Sequence, residues 1–464
     1  SMVDDDESSG SDVSDSYVDS CADTCASSSC GSQCTVKAIV PAVSNFSIQY
    51  NYVCASIATA IMLSNRDQTG EGIRPDYPEP QWAKTVLLSV VFIGSVVGML
   101  TMGYLGDLIG IQRALVFTNL LTVLGALASA LLSWGGPDTV WGVITFSRFV
   151  LGAGVGGNYP LSAAKAAETT TSAKAAVAKA AQAFFWQGPG SCAPYLLALA
   201  LLSLPPVDEI TSWQFRIILG AGVLPAFVVL FAIAQEPDSG DGPQKPKGQL
   251  GDALMDPEHW STLVGTAGTW FLFDVAFYGM VIFAPTILEN VFGADQSLMD
   301  LALHASFMAI IAIVGTITGV QALGAITPKV LAVSGLAIAA VLFVIFLAVF
   351  HYLPSFHMTL FVLLCSLYFV LYCGPNIATY ILPVISFPQE VRSTFHGMSA
   401  AAAKVGAMMG ALVFPVVHEH FGISTVMVVQ AVLCAMGALL AHCCLENRGV
   451  ADTDPDMFVD ETPK

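Results

Sequence analysis

The sequence predicts an all-α polytopic membrane protein, with twelve transmembrane helices in two six-helix halves. Its 464 residues are 55% hydrophobic and only 11% charged, with a mean hydropathy of +0.69. A soluble domain carries roughly a quarter charged residues. Twelve apolar stretches each approach or exceed the ~20 residues that a helix needs to cross a bilayer. The longest polar break, Gln235 to Trp260, divides them six and six.

Taken in order, spans 1 to 6 cover 37–63, 83–106, 112–134, 139–163, 176–203 and 212–234. Spans 7 to 12 cover 261–288, 300–323, 329–350, 356–385, 395–417 and 422–444. The domains expected are an acidic, disordered tail 1–36, a half 37–234, a linker 235–260, a half 261–446 and an acidic tail 447–464. The formal charge is −18, but eight acids fall in Asp4–Asp23 and five in Asp452–Glu461, so the apolar core is nearly free of it. No basic stripe appears, which argues against nucleic acid as a partner. The first 35 residues are polar and acidic, so no cleavable signal peptide is expected.

Orientation follows from Lys and Arg in the short loops. With both termini cytoplasmic, Arg113, Lys165, Lys174, Lys245, Lys247, Lys329, Arg392 and Arg448 lie inside. Arg66, Arg74 and Lys84 lie outside, eight against three. Seven of the eleven cysteines fall in or beside apolar spans, where Cys acts as a small hydrophobe. Cys21, Cys25, Cys30 and Cys34 lie in the acidic leader with no familiar zinc spacing. Incidental thiols of a disordered tail are expected there, with palmitoylation near the first span and metal binding as alternatives.

Asp274 is the acidic residue that falls deep inside a span. A carboxylate at bilayer depth costs at least a few kcal/mol, so it marks a functional site by default. Trp270, Asp274 and Tyr278 are four apart and share one helix face. That face offers an indole N–H, a carboxylate and a phenol to one cavity.

The halves look like repeats. Ala175-Ala176-Val177-Ala178-Lys179 in span 5 is similar to Ala400-Ala401-Ala402-Ala403-Lys404 in span 11, and Phe149-Val150-Leu151 in span 4 to Phe369-Val370-Leu371 in span 10. Gly103-Tyr104-Leu105-Gly106-Asp107-Leu108-Ile109-Gly110-Ile111-Gln112-Arg113 joins spans 2 and 3. It resembles the G-x-x-x-D-R-x-G-R-R/K loop of the major facilitator superfamily, whose two halves rock around a midplane site. There Gly103 and Gly106 permit close helix approach, and Asp107 can pair with charge or a helix end.

Gly156-Gly157-Asn158-Tyr159-Pro160-Leu161-Ser162-Ala163 in span 4 resembles the G-G-D-Y-P-L-S-A element of the phosphate:proton symporter family. Phe185-Trp186-Gln187-Gly188 resembles that family's M-Q-G-x-G, and Thr269–Gly279 its T-W-F-L-x-D-x-x-F-Y-G. Gly374-Pro375-Asn376-Ile377-Ala378-Thr379 resembles G-P-N-x-T-T, and Phe387–Ala407 resembles F-P-x-x-x-R-S-T-x-H-G-I-S-A-A-x-G-K-x-G-A. A glycine-rich face with a proline bend explains the span-4 glycines on packing grounds, but not the polar pair beside them. The resemblance covers about residues 37 to 449 and implies phosphate contacts at Tyr159, Gln187, Trp270, Asp274, Tyr278 and Asn376. The chemistry suits them: amide, phenol and indole donate to phosphate oxygens, and a carboxylate accepts from a P–OH group. Lys404 either offsets the anion, pairs with Asp274 or snorkels to the interface.

The chain departs from the family in its first half. The span-1 element F-F-T-D-x-Y-D-x-F becomes Asn45-Phe46-Ser47-Ile48-Gln49-Tyr50-Asn51-Tyr52-Val53, with Ile48 and Asn51 at the acid positions. The span-3 acid falls at Thr118 or Asn119, and the span-4 acid at Asn158. Asparagine releases no proton near neutral pH. The coupling ion is therefore expected to be H+ through Asp274 or phosphate's own proton, or Na+ held by Asn and carbonyl oxygens. A facilitator without coupling is the remaining option.

Three smaller features complete the reading. Arg148 in span 4 is expected to form a structural ion pair, with anion steering as the alternative. His418-Glu419-His420 is expected as a solvated loop, with a surface metal site as the alternative. His304 is expected to be a satisfied buried histidine. The function expected is secondary transport of inorganic phosphate in the lipid bilayer, with no cofactor, no resident metal and no obligate protein partner. The plasma membrane is the default location. Another small anion or organic solute is the runner-up, and a phosphate sensor is the alternative from a different class. No nucleophile–base pair appears, so an enzyme is not expected.

Overall fold

The computed structural model describes residues 28–63, 77–168, 173–204, 212–235, 251, 255–293, 297–388 and 391–446. Side chains of the first helix are described from Ile39 onward. The leader cysteine side chains, both acidic tail ends and most of the linker read from the sequence lie outside the described residues.

All regular structure among the described residues is helical. Span 1 is Ser28–Leu63, which begins within the stretch expected as tail. Span 2 is Ala83–Ile109, span 3 Ile111–Leu131 and span 4 Pro137–Glu168. Span 5 is broken at Trp186 into Ala173–Phe185 and Gln187–Leu202. Span 6 is broken into Ser212–Gly220 and Val223–Gln235. Span 7 is Pro257–Ile282, continued by Ala284–Phe292. Spans 8 and 9 are Leu298–Ala322 and Pro328–Tyr352. Span 10 is broken at Gly374 into His357–Cys373 and Pro375–Ser386. Spans 11 and 12 form the helical stretch Arg392–Cys444, which turns at Gly422, where φ is 76°. A positive φ there suits glycine, which has no Cβ to clash.

Ten of these helices are long and apolar enough to cross a membrane. The total of twelve spans follows because span 5 is too broken to qualify as one helix and spans 11 and 12 run through Gly422 as one. Local signals start several of them. Asp256, Ser297 and Thr327 accept hydrogen bonds from Glu258, Asp300 and Val330 backbone N–H groups at the starts of spans 7, 8 and 9.

Span 2 rests against span 4, span 3 against span 4 and span 1 against span 5 in the first six. Span 7 rests against spans 11 and 12, span 9 against 12 and span 8 against 10 in the last six. Spans 2 and 11, and spans 5 and 8, meet across the two sets. The glycines of span 4 are explained by close helix approach. A Cβ on Gly152 would sit 2.2 Å from the Val91 carbonyl oxygen, and one on Gly154 would sit 2.5 Å from that of Thr118. Small residues at such seams let helices meet backbone to backbone in a bilayer.

His418, Glu419 and His420 are helical rather than a loop, because span 11 continues unbroken to Gly422. Among the described residues no group of three His, Cys, Asp or Glu side chains could hold a metal ion. His304 is half-buried and stacks on Phe292 at 4.2 Å, so an aromatic face is part of its surroundings.

Candidate substrate site

The centre of the molecule holds an ion pair. Lys404 Nζ of span 11 lies 2.8 Å from Asp274 Oδ2 of span 7, and both side chains are buried. The ammonium also donates to the Tyr278 hydroxyl at 3.0 Å. It sits over the rings of Tyr278, Tyr159 and Tyr52, at 4.3, 5.0 and 5.1 Å from their centroids. Snorkelling is thereby excluded for Lys404, which is 1% exposed. Trp270, one turn before Asp274, faces the carboxylate from the same helix. A buried charge pair persists because each ion satisfies the other, while aromatic faces add cation–π attraction.

A second group of polar side chains adjoins the pair. The Tyr159 hydroxyl donates to Gln187 Oε1 at 3.2 Å, and Gln187 Nε2 donates to Asn45 Oδ1 at 2.8 Å. The break at Trp186 puts Gln187 at the first position of the second half of span 5. Tyr159 stands 5.9 Å from Trp270 and 5.9 Å from Tyr380, ring centre to ring centre. Spans 1, 4, 5, 7, 10 and 11 therefore converge on one wall-to-wall cluster drawn from both halves.

Five of the six residues implied as phosphate contacts, Tyr159, Gln187, Trp270, Asp274 and Tyr278, are in this cluster together with Lys404. Asn376 is buried at the start of the second half of span 10, and no hydrogen bond ties its amide to the cluster. Sequence reasoning missed Asn45, Tyr52, Ser162, Tyr380 and His396. Tyr52 brings its ring edge to Tyr278 and donates to Ser95. The Ser162 and Tyr380 hydroxyls are 3.3 Å apart. His396 lies edge-on to Trp270 at 5.7 Å. Asn45 and Tyr52 are polar side chains in an apolar span, a signal that the missing acids overshadowed.

The residues expected to replace proton carriers lie apart from the ion pair. Asn158 Oδ1 accepts from Thr118 Oγ1 at 2.9 Å and from Asn119 Nδ2 at 3.1 Å. Asn51 Nδ2 donates to the Ser47 carbonyl at 2.9 Å, and its own carbonyl accepts from Arg148 Nη2. Arg148 is buried, and Nη1 reaches Cys54 Sγ at 3.4 Å. Among the described residues, the ion pair expected for Arg148 is not formed. Its partners are a carbonyl and a sulfur because span 1 offers Asn51 and Cys54 where an acid would have been needed.

Asp107 joins the two halves on one side of the cluster. Its Oδ2 accepts from the Thr394 backbone N–H at 2.8 Å and from Thr394 Oγ1 at 2.6 Å, at the first turn of span 11. The helix end is thus among its expected partners, and that end favours negative charge. A Cβ on Gly103 would lie 2.9 Å from the Ser393 carbonyl oxygen, and one on Gly106 would lie 3.2 Å from Ser393 Oγ. Spans 2 and 11 are thus shut against each other here. Arg113 is exposed at the start of span 3.

The sequence profile of the Major Facilitator Superfamily matches residues 43–397. The chain is 33% identical over 405 residues to an inorganic phosphate transporter, PT2, of Toxoplasma gondii, covering 87% of this chain and 70% of that protein. It is 29% identical over 436 residues to inorganic phosphate transporter 1-6 of Oryza sativa, covering 81% of each. Among solved structures it resembles the proton:xylose symporter XylE, with a TM-score of 0.71 at 15% identity, over 92% of this chain and 98% of that one. It also resembles the E. coli fucose:proton symporter FucP, with a TM-score of 0.61 at 13% identity, over 88% of this chain and 100% of that one.

Proposed function

The chain belongs to the Major Facilitator Superfamily, and on that premise we propose that it is a secondary transporter of inorganic phosphate working by alternating access. The carrying observation is the Lys404–Asp274–Tyr278 group beside Tyr159, Gln187 and Trp270, held between the halves in a chain 33% identical to a protein named as a phosphate transporter.

Phosphate is an anion with oxygens that accept hydrogen bonds and, near neutral pH, at least one P–OH. Lys404 supplies charge, while Tyr159, Gln187, Trp270 and Tyr278 supply neutral donors. Asp274 accepts from P–OH, a bond that fully ionised sulfate cannot offer. When phosphate arrives, Lys404 exchanges part of its bonding to Asp274 for the substrate, and Asp274 turns to the substrate's proton. Asn376 joins as the halves move, since it stands on a half-helix that starts at the broken Gly374.

Proton coupling through Asp274 and the substrate is the leading reading of the energy source. Na+ coupling is favoured by one observation, the gathering of Asn158, Asn119 and Thr118 oxygens where relatives' motifs carry acids. The Lys and Arg distribution supports cytoplasmic termini, with the Asp107–Thr394 side facing the cytoplasm and the plasma membrane as location.

The deciding experiment is uptake of labelled phosphate by proteoliposomes under separate H+ and Na+ gradients, with sulfate and an organic phosphate as competitors. Uptake driven by one gradient and resistant to sulfate is expected. Equal inhibition by sulfate would sink the assignment of Asp274 to the P–OH group, and transport of the organic phosphate alone would sink the substrate.

A further inference from the structure

A small cavity lies between the two halves on the side of the cluster away from the Asp107–Thr394 contact. It is lined by Val53, Ser191, Tyr195, Tyr368 and Tyr372, with apolar residues of spans 7 and 8. Two helix faces lead to it from the cluster. On span 1, Asn45, Gln49 and Val53 are four apart, and on span 5 so are Gln187, Ser191 and Tyr195. The two faces are joined at the cluster end by the Gln187–Asn45 hydrogen bond, and both end on the cavity.

Gln49 sits between these ends. It is 1% exposed, and among the described residues neither its amide nitrogen nor its amide oxygen has a hydrogen-bond partner. The polar group it approaches, without good bond geometry, is the Tyr372 hydroxyl, which also faces Ser191. Leaving a buried donor or acceptor unsatisfied costs about 1–3 kcal/mol, so an orphaned amide in a folded protein points to a second state in which it is occupied. Tyr372 belongs to span 10 of the second half, whereas Gln49 and Ser191 belong to the first. Separation of the halves on this side therefore parts them and frees an amide and a phenol together, beside the Ser191 hydroxyl, which donates to the Gly188 carbonyl of its own helix.

We propose that Gln49, Ser191 and Tyr372 form an outer phosphate subsite, through which the substrate passes between the cavity and the central cluster. The inference rests on the phosphate reading above. Its chemistry is that of neutral donors to anionic oxygens. No charged side chain lines the cavity, so the anion is held weakly and is drawn on toward Lys404 in the central cluster.

The test uses the full chain in proteoliposomes, with phosphate initial rates measured separately from each face. Gln49→Leu keeps the volume and removes both orphaned atoms, so folding is not compromised; Ser191→Ala is the second variant. Loss of one hydrogen bond of about 1 kcal/mol predicts that KM for phosphate on the cavity side rises about fivefold. On the opposite face it stays within about twofold, because the subsite lies only on one side. Gln49→Asn, which keeps an amide, restores part of the loss. Two results overturn the proposal: an unchanged KM on both faces, as for a gap holding only water, or an equal rise on both, as for a purely structural role. If the wild-type vesicles move no phosphate at all, the functional reading fails and the subsite with it; if only the variants behave as wild type, the subsite alone fails.

Discussion

Burying a carboxylate and an ammonium in a membrane interior is tolerable only while they satisfy each other, and Asp274 and Lys404 do so at 2.8 Å. Removing one partner leaves the other uncompensated, at a cost of about 3–5 kcal/mol. Lys404→Ala is therefore expected to lower thermal stability in detergent, and adding Asp274→Asn to it should recover much of the loss. A double variant no more stable than the single one would contradict the pairing. Asp274→Asn alone can still accept a hydrogen bond from Lys404 but holds no titratable proton. Gradient-driven uptake should fall to background while monodispersity is retained; undiminished uptake would refute the role of Asp274. Trp270, Asp274 and Tyr278 were legible from their spacing of four. Asn45, Tyr52 and Tyr380 were not, since nothing local distinguishes a polar side chain that faces a cavity from one that bonds within its own helix.

At the scale of helices, backbone approach sets the seams. A Cβ on Gly98 would lie 2.0 Å from the Ala153 carbonyl oxygen of span 4. Gly98→Leu is expected to force spans 2 and 4 apart, with a loss of about 1–3 kcal/mol or more from overpacking, read as a lower melting temperature. A melting curve unchanged from wild type would show that the seam yields. The helices themselves were legible from apolar length, because a lipid-facing backbone must bond within its own helix. The breaks at Trp186 and Gly374 were less so, since spans 5 and 10 read as continuous apolar stretches. The break at Trp186 lies just before Gly188-Pro189-Gly190, where Pro189 lacks an N–H and crowds the Phe185 carbonyl, and it lets Gln187 meet Asn45 and Tyr159.

In the whole molecule, the Asp107–Thr394 bonds hold the two halves shut on one side. Asp107→Ala removes two bonds to a charged acceptor, each of about 1.5–3 kcal/mol, and should shift the population toward opening on that side. Maleimide labelling of Ser393→Cys, in a background stripped of other reactive cysteines, reads this directly, because Ser393 is buried in the closed state. Faster labelling is expected with Asp107→Ala, and an equal rate would show that the contact does not latch the halves.

The sequence by itself determined the twelve apolar spans, the solitary carboxylate at depth, and a motif set similar to phosphate symporters. Those depend on local composition and spacing, which a bilayer reads one helix at a time. Only the tertiary structure decided that Lys404 answers Asp274, that Arg148 finds a carbonyl and a sulfur rather than an acid, that Asp107 meets Thr394, and that Gln49 stands unsatisfied beside a cavity. Each of these joins residues from separate spans. Such contacts are set by which helix faces meet when the halves close, and no periodicity along one helix records them.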